Sequence, residues 1–141
     1  MAEGSNQLRV RLVSPERILF ETTADAVELP AKNGYMEVLY GHAPLLAELG
    51  AGDVRLHGAA DVGDQVYNVS WGFVEVLPDR VTILANDALK PEEIDVQRAQ
   101  QQLDRGQKEW QEAGDSEEKY AEALHRIEEA EAKLATAQEK H

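Results

Sequence analysis

The spacing of apolar residues changes near Ala88, and no single sheet or bundle accommodates both halves of the chain. Before that point, apolar positions come in short runs broken by turn residues. "LRVRLVS", from Leu8, alternates as a half-buried strand does, with Leu8, Val10 and Leu12 facing inward and Arg9 and Arg11 outward. "ADAVELPAKNG", "YMEVLYG", "LLAEL", "GDVRLHG" and "DQVYNVS" follow at similar spacing. "WGFVEVLPDRVTILAND" reads as two strands joined at Leu77-Pro78-Asp79-Arg80, because Pro78 suits a type I turn and lacks the N–H that a strand interior needs. Gly34, Gly41, Gly50, Gly52, Gly58 and Gly63 are expected to supply the other turns. Such a pattern predicts an antiparallel β-sandwich of about ten short strands over residues 1–88.

From "KPEEIDVQRAQ" onward the spacing is helical. Pro91 suits the first position of a helix, with Glu92 and Glu93 at its positive end. Val96, Ala99, Leu103 and Trp110 share one face, which Gly106 interrupts at a cost of about 1 kcal/mol relative to alanine. In "EAGDSEEKY", Gly114 suits a C-terminal cap, and Asp115 with Glu118 resembles a capping box. The second helix carries Tyr120, Leu124, Ile127 and Leu134 on a thin stripe, with Glu131 where a leucine is expected. Residues 89–141 therefore predict an antiparallel two-helix hairpin, and the fold class is β + α. The seam is narrow and rich in alanine, so the hairpin needs something else to pack on, or it moves.

Composition excludes several functions. The net charge of −13 repels nucleic acid, which requires a basic footprint, and anionic lipid surfaces as well. The chain has no cysteine, which removes disulfides and thiolate metal sites. Its start lacks the basic-then-apolar order of a signal peptide, and no apolar run is long enough for a membrane span, so a soluble cytoplasmic location is expected. His42, His57, His125 and His141 have no metal-ligand partner at a useful helical or hairpin spacing, so no metal site is expected. "LGAGDVR" lacks the third glycine of a dinucleotide fingerprint, and Ser70 in "VSWGF" lacks the flanking glycines of a nucleophile elbow. No catalytic constellation emerges, and the chain reads as a non-enzyme.

"GYMEVLYGHAPLLAELGAGDVRL", "WGFVEVLPDRVTILAND" and "EEIDVQRA" together resemble the epsilon subunit of bacterial F-type ATP synthases, in order and spacing over nearly the whole chain. The Gly-His-Ala-Pro-Leu-Leu run is the most specific of the three. The resemblance implies a non-catalytic subunit of the rotating central stalk, peripheral at the cytoplasmic face of the bacterial inner membrane. It implies a sandwich that binds the gamma subunit and the c subunits of the rotor ring. It also implies a hairpin that inhibits ATP hydrolysis when it extends toward the alpha and beta subunits of the catalytic head. The alternative is a free-standing adaptor with the same two parts.

The same resemblance assigns residues. It implies a rotor-ring or stalk contact around Tyr35, Glu37, Tyr40, Gly41 and His42, for which a turn histidine satisfied by backbone is the competing account of His42. This chain departs from the family there. Tyr40 stands where proline is usual, Glu37 where glycine is common, Tyr35 where an acidic residue often lies, and Trp71 in place of the first glycine of a Gly-Gly pair. Some members bind ATP through Ile/Leu-Asp-x-x-Arg-Ala, which Ile94, Asp95, Arg98 and Ala99 match. Those binders use an acidic residue a few positions earlier, where this chain has Leu89. The expectation is an Asp95–Arg98 surface pair with weak or no ATP binding, and no other cofactor. Lys119, Arg126, Lys133 and Lys140 recur every seven residues and are expected to form a basic strip, either a solvated flank or the contact to the catalytic head.

Overall fold

The computed structural model describes residues 6–61 and 63–139. They form two compact units divided between Lys90 and Pro91. The first holds β1 (Leu8–Val13), β2 (Ile18–Ala24), β3 (Ala26–Ala31), β4 (Gly34–Leu39), β5 (Leu45–Ala59), β6 (Gly63–Leu77) and β7 (Arg80–Leu89). Hydrogen bonds link them in the order β2-β1-β7-β6-β5-β3-β4. The pairs are antiparallel except β1 with β7, which run parallel.

The expected short strands are instead seven strands, of which β5 and β6 are 15 residues long. The reason is visible in the burial phase. In β6 the inward side chains are Tyr67 and Val69 before Trp71-Gly72, but Val74 and Val76 after it. In β5 they are Leu49 before the glycines and Val54 and Leu56 after them, and β7 shifts likewise from Val81, Ile83 and Ala85 to Ala88. A strand that changes its inward face midway passes from one layer of a sandwich to the other. Counted once in each layer, these three long strands restore the expected number of short segments. Gly50 and Gly52 are thus positions inside a strand, not turns. A Cβ on Gly50 would lie 3.2 Å from the Ala31 carbonyl oxygen, and one on Gly52 would collide with the Tyr35 hydroxyl. Gly34, Gly41, Gly58 and Gly63 do have positive φ.

The two layers close on one core. β2 and β5 are not sheet neighbours, yet the Ala60 N–H after β5 donates to the Thr23 carbonyl of β2 at 2.9 Å. Phe20 of β2 packs on Tyr67 of β6 with ring centroids 4.9 Å apart and planes tilted by 43°. Leu8, Val10 and Leu12 are buried as the alternation predicts, and Leu29, Leu56 and Ile83 join them. Each such side chain contributes about 1.5–3 kcal/mol on burial.

The second unit holds a 3-10 turn at Pro91–Glu93, α1 (Val96–Gln111) and α2 (Glu117–Gln138). Pro91 opens the turn and not the helix. Asp95 is the N-cap of α1, and Ser116, not Asp115, is the N-cap of α2, its hydroxyl accepting from the Lys119 N–H at 3.2 Å. Gly114, with φ 60°, reverses the chain between the helices. The packing also differs from the expected stripe. The buried helical residues are Ala99, Gly106, Ala123, Ala130, Lys133 and Thr136, while Val96, Trp110 and Leu124 are exposed. Gly106 is no mere interruption: a Cβ there would lie 2.8 Å from Ile127 Cγ1, so its absence lets α2 approach. Glu131 is exposed and occupies no seam position. Trp110 and Tyr120 meet edge to face at 4.8 Å near the turn.

Candidate functional site

The residues implied as a rotor or stalk contact do not all converge. Tyr40, Gly41 and His42 follow β4 in a tight turn at one end of the sandwich. The Gly41 N–H donates to the Pro78 carbonyl at 2.7 Å, and the His42 N–H to the Leu39 carbonyl at 3.2 Å. These bonds place the turn beside the β6–β7 connection at Pro78-Asp79. His42 Nδ1 lies 2.7 Å from the Ala43 carbonyl oxygen, so the imidazole donates there and is satisfied by backbone. Leu39, Tyr40, Leu45 and Leu46 are exposed around this turn.

Tyr35 and Glu37 lie further back along β4, the edge strand. Tyr35 begins beside the β3–β4 turn, and its hydroxyl accepts from the Asp53 N–H at 2.9 Å across the notch left by Gly52. Glu37 stands opposite Glu28 in the β3–β4 ladder. His57 of β5 reaches the same patch, with Nε2 2.7 Å from Glu28 Oε1. Donor atoms of Glu28, Glu37 and His57 all lie within 4.8 Å of one another. Spacing along the sequence gave no sign of this group, because its members come from three different strands.

A larger feature is likewise invisible in the linear sequence. On the outer face, Ile18 pairs with Val13 across β2–β1, Val13 with Leu84 across β1–β7, and Leu84 with Phe73 across β7–β6. Ile18, Leu84 and Phe73 are each about half exposed, and nearby Leu46 is 71% exposed. The alternation of β6 and β7 marks these positions as outward, but only the register shows that they adjoin. A contiguous exposed apolar row rimmed by Glu48 and Glu75 is the usual mark of a protein contact.

In the helical unit the four matching residues take separate parts. Ile94 and Ala99 are buried, and Arg98 is exposed. The Asp95 carboxylate accepts from the Arg98 backbone N–H at 3.1 Å, so it caps α1 where a side-chain pair was expected. The basic residues of α2 are not one uniform strip. Lys119 is exposed, while Arg126 pairs across the helices with Glu109, which also lies 4.0 Å from Arg105. Lys133 is only 9% exposed, with Nζ 3.4 Å from Glu129 Oε2. Lys140 lies outside the described residues.

Comparison with known proteins agrees with this architecture. Residues 7–91 match the family described as ATP synthase, Delta/Epsilon chain, beta-sandwich domain. The chain is similar to the ATP synthase epsilon chain of Solibacter usitatus, at 42% identity over 94% of this chain and 97% of that one. It is also similar to that of Koribacter versatilis, at 42% identity over 73% and 71%. Among solved structures, a chain of the Euglena gracilis mitochondrial ATP synthase shares the fold with a TM-score of 0.76 at 22% identity, covering 92% of this chain and 81% of that one. The buried sandwich core, the two capped helices and these likenesses agree that the chain belongs to the ATP synthase epsilon-chain family.

Proposed function

We propose that the chain is a non-catalytic rotor subunit of a bacterial F-type ATP synthase. Its sandwich joins the gamma subunit and the c subunits of the rotor ring, and its helical unit restrains ATP hydrolysis by reaching the alpha and beta subunits. It works at the cytoplasmic face of the inner membrane, held peripherally through the complex; no described helix is long and apolar enough to cross a membrane. The observation that carries the stalk contact is the exposed row of Ile18, Leu84, Phe73 and Leu46 on an otherwise acidic chain.

The test is binding of the full chain to the purified gamma subunit. Phe73→Asp, which places a charge in the middle of the row, weakens binding about 10-fold or more. An unchanged affinity sinks this assignment of the face. ATP is a weak ligand at most, since Asp95 already serves as a helix cap. Submillimolar ATP affinity that disappears in Arg98→Ala contradicts that.

A further inference from the structure

We propose that Glu28, Glu37 and His57 form a binding site for a borderline divalent transition metal, of the zinc, cobalt or nickel type, on the outer face of β4-β3-β5. Each ligand stands on a different strand, so the backbone ladder fixes their relative positions. Val27, Val38 and Leu56, the sequence neighbours of the three, are buried beneath and hold the strands rigid. The mutual donor distances stay within 4.8 Å. Donors about 2.0–2.2 Å from one metal ion are roughly 3–3.6 Å apart, so small rotations of the carboxylates close the site.

Two features give the site its chemistry. First, Glu28 and Glu37 face each other directly across the ladder, where like charges are destabilising, so a cation bound between them removes repulsion. Second, an imidazole nitrogen already lies 2.7 Å from one of those carboxylates, which makes the set more than an acidic cluster. The imidazole then selects the metal. Arg55 stands opposite Glu28, but its guanidinium is 3.0 Å from Asp53, which offsets its charge. Magnesium and calcium favour oxygen ligands alone, whereas zinc, cobalt and nickel gain from imidazole ligation. The side chains of His57 and Glu28 are 42% and 37% exposed, which leaves room for water at the remaining coordination positions.

Isothermal titration of the full chain with zinc, and of the same chain with cobalt followed by its visible absorption, tests this site. One equivalent binds. The affinity falls at least 10-fold in both His57→Ala and Glu37→Gln and is unchanged in His42→Ala. Because the metal binds only the folded strands, it raises the melting temperature of the unmodified chain more than that of Glu37→Gln at the same metal concentration. Absence of saturable binding overturns the proposal and leaves only a hydrogen bond between His57 and Glu28. Equal affinity in the unmodified chain and both ligand variants also overturns it. Equal affinity for magnesium, with the same dependence on His57, overturns the assigned metal class.

Discussion

Gly72 and Trp71 show how much a single backbone position carries. Gly72 has φ 127°, and a Cβ there would run into the Leu84 carbonyl oxygen of β7. Gly72→Ala therefore destabilises the sandwich by about 2 kcal/mol or more, read as a lower denaturation midpoint at unchanged slope. Trp71 adopts φ 60°, a left-handed conformation that costs a bulky residue on the order of 1 kcal/mol or more. A glycine, which the resemblance implies at this position, would adopt that conformation without the cost. Tyr35→Phe removes the hydroxyl that receives the Asp53 N–H and costs about 0.5–1.5 kcal/mol in the same measurement. In the helices, Gly106→Val drives a branched side chain into Ile127 and destabilises the hairpin by about 1–3 kcal/mol, visible as earlier loss of helical dichroism on heating.

At the scale of elements, alternation identifies β1, Pro78 the β6–β7 turn and helical spacing both helices, because those signals lie in consecutive residues. What it could not show was continuity. Gly50 and Gly52 look like turn punctuation in a linear string, but their role is set by Pro30, Ala31 and Tyr35 on neighbouring strands. The exposed apolar row and the Glu28–Glu37–His57 group are hidden for the same reason, since both exist only once the register is known. The helix seam departs from the expected stripe because small residues, not large apolar ones, are mostly the buried ones. Close approach at Gly106 and Ala123 instead leaves Leu124 and Trp110 exposed. The Arg126–Glu109 pair between the helices carries a prediction about regulation. If Arg126 also meets the catalytic head, Glu109→Gln frees it and strengthens inhibition of ATP hydrolysis. Arg126→Gln relieves inhibition. Exposed pairs are worth about 0–1 kcal/mol, so each change is up to about 5-fold. Inhibition that moves the same way in both variants contradicts this assignment.

For the whole molecule, two compact units imply a division of labour that truncation exposes. β7 continues to Leu89, which pairs with Asn68, so a chain ending at Lys90 keeps every described strand and its core. That shortened chain is expected to unfold cooperatively and to retain gamma binding. The isolated helical unit, whose buried residues are small, is expected to be far less stable. The most direct measurement of the proposed function adds the protein to ATP synthase stripped of its own epsilon subunit and follows ATP hydrolysis. The full chain is predicted to bind and suppress hydrolysis, and the chain ending at Lys90 to bind without suppressing it. Binding of the full chain with hydrolysis unchanged, or equal suppression by the shortened chain, would contradict a regulatory role for the helices.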